Sequence, residues 1–365
     1  MEKLQLTRDP ILQQDLEEIA GSDMIEWERF RGKTILITGA TGLIGSQAAM
    51  ALTLAGKLRD LNLKVLALVR NREKAEKMLG SCLEQGLELL IGDVTAFPGT
   101  EEKIDFVLHG AGVTASKQFV EKPVETILTT LKGTEAMLEL ARSHKAEGMV
   151  YLSSMEAYGV VDPEHYIVRE KDYGYIDPLE ARSSYSESKR MAEGLCAAYA
   201  HEYGLPVKNA RLAQTFGAGI PESENRVFAQ FARSILKGED LVLHTDGSKA
   251  HCYCYTSDAV LGLLKILLEG EPGQAYNVSN EETFSTIREM AQMLVEEYPE
   301  SGSRLIFDIP KDASLYGYAP SFRMLVNSGK LQSLGWKPQV NLSGMYRRLM
   351  GSMKGWKEFQ GEPRP

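Results

Sequence analysis

The β-branched run KTILIT (residues 33–38) passes directly into TGATGLIG (38–45), which places glycine at 39, 42 and 45. No other feature restricts the fold as tightly. A strand buried on both faces reads as a continuous apolar run. Glycines at its end let the chain turn sharply, let the backbone approach a ligand, and let the next helix pack close to the strand. The helix that opens there offers N–H groups and partial positive charge to an anion. The spacing is GxxGxxG rather than the commoner GxGxxG, and glycines also serve plain turns. Between a predicted strand and a predicted helix, however, it stands in the context that a dinucleotide-binding turn requires.

The rhythm set by this turn continues. KVLALV (64–69) reads as a second strand, followed by a Lys- and Glu-rich helix. LELLIG (87–92) and DFVLHG (105–110) give two more strands, residues 124–143 a helix, and GMVYLSS (148–154) a fifth strand. A polar loop containing Pro and Tyr follows Gly159 to about Ser183, then a helix over 184–203 and a strand over 207–212. Strand alternating with helix predicts right-handed βαβ units and a Rossmann-type doubly wound parallel sheet, an α/β fold. Three parts are expected: residues 1–31, an acidic preface with a helix over 10–20 and Trp27 and Phe30 ready to dock; 32–216, the dinucleotide domain with the reactive groups; and 217–365, mainly a smaller α/β substrate lobe that returns some elements to the first sheet.

Composition narrows the partners. The 365 residues carry a formal net charge of −9, with Lys and Arg scattered singly. Such a chain repels a phosphate backbone, so nucleic acid is not an expected partner. No apolar run approaches the roughly eighteen residues of a membrane span. The start, MEKLQLTRDP, lacks the apolar stretch of a secretion signal, which predicts a cytoplasmic protein. Cys82, Cys196, Cys252 and Cys254 are then expected as reduced thiols. Cys252 and Cys254 have no second Cys/His pair at a zinc-like spacing, so no metal site is expected.

After the second strand, an acidic residue would bond a ribose 2′-hydroxyl and an arginine would accept a 2′-phosphate. Arg70 stands there, with Arg72 nearby and no acid before Glu73, which leans modestly toward NADP over NAD. Asp93, after the third strand, either accepts from an adenine amino group or caps a turn. Tyr185 and Lys189, four apart in a helix, share a face. A phenol of pKa about 10 needs roughly 4 kcal/mol of phenolate stabilisation to act as a base at neutral pH. A neighbouring ammonium and an oxidised nicotinamide are suited to supply it. Ser154, at the C-terminal end of the fifth strand, lies where ligands bind in an open α/β sheet.

TGATGLIG, SSMEAYG, YSESK and ARLAQTFG together resemble the extended short-chain dehydrogenase/reductase family, in the branch that acts on nucleotide-sugars. Within it, DPLEARSSYSESKRMAE looks most like UDP-glucuronate decarboxylases, with dTDP-glucose 4,6-dehydratases and UDP-sugar 4-epimerases close behind. The resemblance implies a transient 4-keto sugar, with Tyr185 as base, Lys189 also holding the nicotinamide ribose and Ser154 in the family's Ser/Thr position. It implies that Gly39, Thr41, Gly42, Leu43, Ile44 and Gly45 surround the pyrophosphate, with Arg70, Asp93, Val94, His109 and Ala111 also around the cofactor. Glu156 matches a glutamate of the decarboxylase and dehydratase branches that handles a proton at C5.

Four departures qualify the likeness. Met155 stands where dehydratases carry an aspartic acid, and a thioether donates no proton to a departing hydroxyl. His251 stands where the family usually has an arginine, a weaker and pH-dependent anion partner. Gln214 replaces a substrate-contacting asparagine, and Thr130 stands in place of another asparagine. Arg323, ahead of Leu334, Gly335 and Trp336, is expected to grip the substrate's diphosphate, and a homodimer through the helices 124–143 and 184–203 is expected on the same likeness. Decarboxylation and 4-epimerisation are the leading outcomes, ahead of a net reductase or a non-catalytic cofactor sensor.

Overall fold

The computed structural model describes residues 4–309 and 323–358. Helix α1 (Pro10–Gly21) starts where the Asp9 carboxylate accepts the amides of Ile11 and Leu12, with proline in the first turn. The βαβ rhythm then runs as β1 (Thr34–Thr38), α2 (Leu43–Leu58), β2 (Lys64–Val69), α3 (Arg72–Leu83), β3 (Leu87–Ile91) and β4 (Phe106–His109). A short α4 (Ser116–Glu121) and the long α5 (Pro123–Ser143) lead to β5 (Gly148–Ser154), β6 (Ile167–Val168), α6 (Ser183–Tyr203), β7 (Val207–Leu212) and β8 (Gln214–Phe216). The remainder comprises α7 (Val227–Lys237), β9 (Leu241–Leu243), β10 (Ala250–Tyr255), α8 (Thr256–Glu269), β11 (Ala275–Val278), β12 (Asn280–Thr286), α9 (Ile287–Glu297), β13 (Leu305–Phe307), β14 (Arg323–Val326), α10 (Gly329–Gln332) and α11 (Leu342–Glu358).

The doubly wound sheet predicted from the strand rhythm forms as expected, seven-stranded in the order β3-β2-β1-β4-β5-β7-β11. Every pairing in it is parallel. Chain order reverses between β1 and β4, and that reversal opens the crevice in which such sheets bind ligands. β11 returns from the C-terminal third to close one edge. Neither α4 nor β6 has a periodic signal in the sequence. The rest of the C-terminal third builds a smaller lobe: β12, β10, β14 and β6 in that order with β8 also paired to β10, plus β9 with β13. Within its core Phe216 stacks on Phe228, meets Tyr253 edge-on and packs at a tilt against Tyr346.

The N-terminal helix is woven into both parts. Trp27 and Phe30 are buried as anticipated, Phe30 meeting Phe106 edge-on with centroids 5.2 Å apart. Asp15, wholly buried, accepts from Arg348 of α11 at 2.5 Å and from the Tyr255 hydroxyl of β10 at 2.6 Å. Arg348 also reaches Glu18 at 2.6 Å. Burial pushes the Asp15 carboxyl up to about 6 despite these partners. Removing the cation leaves a buried carboxylate uncompensated, which costs about 3 kcal/mol. Arg348→Leu is therefore expected to lower unfolding free energy by about that amount in denaturant titration, with protease cleavage appearing first near residues 4–21.

Candidate active site

The turn between β1 and α2 is fixed by backbone packing. Gly39 has φ +71°, and a Cβ there would lie 2.7 Å from the Gly110 carbonyl. A Cβ on Gly45 would lie 2.3 Å from the Gly39 oxygen, so the helix can approach the strand end only without a side chain. Gly42 differs: it is exposed, and its Cβ would meet nothing nearer than the Gly39 oxygen at 3.2 Å. The chain's own packing therefore accounts for the outer glycines and leaves the middle one facing outward. α2 starts at this residue with no side-chain cap and no acid in its first turn, which suits the amides beside the partly buried Thr41, Leu43 and Ile44 to an anion.

The other residues assigned to this crevice divide into front and back. Thr38 Oγ1 accepts the Ala111 amide at 3.1 Å and bonds His109 Nδ1 at 2.7 Å. His109 Nε2 reaches Thr134 Oγ1 at 3.3 Å, and Thr134 in turn donates to the Thr130 carbonyl at 2.7 Å. His109 is fully buried, and burial holds the ring neutral, down to about 3. It sits behind the crevice, tying β4 to β1 and α5, and acts on the loop through Thr38. Thr130 belongs to the same internal ladder. Val94 is buried beside Gly133, where a Cβ would lie 2.9 Å from its methyl group. Asp93 caps its turn, accepting the Thr95 amide at 2.8 Å and hydroxyl at 2.7 Å. Arg70 is exposed at the end of β2, 3.8 Å from the other Asp93 oxygen.

Across the crevice, the inner face of α6 meets the end of β5. Tyr185, Lys189 and Glu193, spaced by four, are all buried. Lys189 Nζ donates to the Leu152 carbonyl at 2.6 Å and lies 5.7 Å from the centre of the Tyr185 ring. Burial pulls the Lys189 ammonium down to about 8. Glu193 accepts from Ser153 Oγ at 2.5 Å and from Arg211 at 2.6 Å. The phenol of Tyr185 is pushed up to about 12, first by burial and then by the charge of Glu156, against a hydrogen bond from Ser154 and the charge of Arg182. The Lys189 ammonium is directed to a backbone carbonyl, and the polypeptide surroundings by themselves favour the neutral phenol.

Ser154, Glu156 and Tyr185 are brought together as predicted. Ser154 Oγ accepts the Glu156 amide at 3.2 Å, and the Glu156 carboxylate pairs with Arg182 at 3.0 Å and Ser186 Oγ at 3.3 Å. Met155 turns away into an apolar cluster with Tyr158, Val168, Ala213, Met324 and Val326. On β10, His251 is buried and kept neutral by that burial, down to about 3. Lys249, two residues earlier, is lowered by burial and feels both Glu156 and Arg182. Gln214 pairs with Tyr253 in the register of β8 and β10. Arg323 is exposed at the start of β14, its guanidinium 5.0 Å from the Tyr166 ring centre and 5.8 Å from that of Phe284. Phe119, Arg182, Lys249 and the Glu193–Arg211 pair went unassigned in the sequence. The spacing of Glu193, one turn beyond Lys189, was the one available signal.

The family described as NAD dependent epimerase/dehydratase matches residues 35–279. UDP-glucuronic acid decarboxylase 1 of Danio rerio is 31% identical over 310 residues, covering 85% of this chain and 70% of that protein. An epimerase from Methanothermobacter thermautotrophicus shares the fold with a TM-score of 0.74 and 22% identity, covering 96% of this chain and 97% of the other. A UDP-glucuronic acid 4-epimerase from Bacillus cereus, solved with NAD, superposes with a TM-score of 0.70 at 20% identity, over 90% of this chain and 98% of the other. The packing at the glycines gives separable outcomes. Gly42→Ala, whose Cβ meets the Gly39 oxygen at 3.2 Å rather than 2.3 Å, should lower the melting temperature less than Gly45→Ala while weakening NAD binding about tenfold by calorimetry, ~1.4 kcal/mol. Gly45→Ala should lower both.

Proposed function

Because the chain belongs to the NAD dependent epimerase/dehydratase family, we propose that it acts on a nucleotide-bound uronic acid, oxidising C4, releasing carbon dioxide and reducing C4 again. The β1–α2 turn fits a dinucleotide, since Gly42 is exposed and the helix it opens has no side-chain cap and no acid in its first turn. Bound there, NAD supplies the hydride acceptor and later the donor. Of the two dinucleotides NAD is favoured: the Asp93 carboxylate beside Arg70 opposes a 2′-phosphate and outweighs the arginine's modest lean toward NADP.

The observation that carries the reading is the placement of Glu156 beside Tyr185 with Met155 turned away. Tyr185 takes the proton from the C4 hydroxyl, and Ser154 orients that hydroxyl. A ketone at C4 makes the sugar acid a β-keto acid, which loses carbon dioxide without an acid at position 155. Glu156, held by Arg182 and Ser186, then stands to pass a proton from water to C5 of the enolate left by carbon dioxide. Dehydration lacks its proton donor at position 155. Lys249 and Arg182 supply positive charge near Glu156, suited to a sugar carboxylate, while Arg323 and Gln214 extend the site into the smaller lobe. Two copies pairing through α5 and α6 would cover the exposed Val124, Leu128, Met191 and Tyr203.

A second reading, 4-epimerisation of the same class of substrate, is favoured by one observation: His251 is neutral where the family usually carries a cation. Incubation with UDP-glucuronate and NAD separates them. Product lighter by carbon dioxide supports the lyase; unchanged mass with altered sugar couplings in NMR supports the epimerase. Glu156→Gln should cut decarboxylation by roughly a hundredfold and leave an epimerase nearly untouched. Tyr185→Phe should abolish turnover with NAD affinity retained. The Lys189 ammonium is charged below about 8 and loses its proton as pH rises through that value, so kcat should decline above about pH 8.

A further inference from the structure

Helix α4, without any periodic signal in the sequence, carries one ring into the site. Phe119 is 2% exposed yet joins none of the hydrophobic clusters among the described residues. Its ring neighbours carry polar heads. The phenol ring of Tyr185 lies flat on it, centroids 4.2 Å apart and planes 9° from parallel. The Arg182 guanidinium lies 4.9 Å from the centre of the same ring. Arg182 also pairs with Glu156 at 3.0 Å. Ser184 Oγ donates to the Phe119 carbonyl at 2.9 Å, which fastens α4 to the first turn of α6.

We propose that Phe119 is a positioning residue, whose ring sets the plane of the Tyr185 phenol and seats Arg182 so that phenol and Glu156 carboxylate keep one fixed relation. This rests on the roles given above to Tyr185 and Glu156. Two stacked rings leave the phenol a narrow range of rotation, and a guanidinium on an aromatic face is held by cation–π attraction as well as by its carboxylate. A flexible aliphatic side chain fills similar volume but constrains neither plane. Without the ring, Tyr185 loses its alignment to Ser154, and Arg182 drifts from the phenol; both groups favour the ionised form.

The test begins with a measurement that needs no substrate. Ultraviolet absorbance follows phenolate formation in NAD-loaded protein, each variant being read against the same variant carrying Tyr185→Phe so that one tyrosine is isolated. Phe119→Leu, which keeps the phenol covered but frees its plane, is expected to move the Tyr185 midpoint upward, while Phe119→Tyr, which keeps a planar ring, leaves it near the original. With UDP-glucuronate, Phe119→Leu should lower kcat by roughly ten- to a hundredfold with little change in KM, as expected for misaligned reacting groups, and Phe119→Tyr should restore it. A midpoint that stays put or falls in Phe119→Leu overturns the proposal, as does equal behaviour of the Leu and Tyr variants. If Phe119→Leu no longer binds NAD, Phe119→Met replaces it; loss of NAD binding in both assigns the ring to stability and likewise overturns the proposal. A parent enzyme that leaves UDP-glucuronate untouched would sink the decarboxylase reading alone, because the titration still decides the role of the ring.

Discussion

A stripe of polar side chains on one face of α6 is pressed against the end of β5, and the site exists because each of them finds a partner there. Tyr185, Lys189 and Glu193 fall at successive four-residue steps, so burying the helix on the sheet buries all three together. An unmatched ammonium or carboxylate in that position would cost several kcal/mol. Lys189 is matched by the Leu152 carbonyl, and Glu193 by Ser153 and by Arg211 reaching from β7. Arg211 then uses its remaining donors on the Glu170 carbonyl and the Tyr173 hydroxyl, drawing the long loop before α6 onto the same knot. Strand, helix and loop are thereby held in one relation, and the reacting end of β5 inherits it.

Charge in the crevice follows from this burial more than from residue type. His109 and His251, both buried, are kept neutral. Around Glu156 the cations are Arg182 and Lys249, reaching it from the loop before α6 and from the strand edge of the smaller lobe. An arginine at 251 would carry its charge regardless of burial, since a guanidinium cannot be deprotonated in a protein. The histidine gives that up, and the nearest positive group shifts two residues along the chain.

The sequence disclosed the backbone pattern well and the side-chain environments poorly. Six strands of the parallel sheet were legible because a buried parallel strand has to be apolar throughout, and the glycine turn because its spacing answers to sterics alone. Tyr185, Lys189, Ser154 and Glu156 were legible through spacing and resemblance. α4 was not: it is six residues long, and Phe119 is its one buried residue, so no period can form. Arg182 and Lys249 look like ordinary surface cations in the sequence; the loop before α6 brings the first to Glu156 and the approach of the smaller lobe brings the second. The resemblance sets His109 among the residues around the cofactor, and its burial and its bonds to Thr38 and Thr134 have no signal in the sequence.

The phenol shows how the backbone and the side-chain layers combine. Burial as a whole disfavours ionisation of Tyr185, with the charge of Glu156 adding to the effect and Ser154, Arg182 and Arg226 opposing it. The chain by itself therefore keeps this phenol protonated at neutral pH. Positive charge from a bound group would favour the phenolate, and the exposed Gly42 at the uncapped start of α2 leaves that turn accessible to a ligand. Burial that looks like a handicap for a base thus makes its activation conditional on an occupied crevice, and the same low-polarity surroundings strengthen the incoming cation's effect.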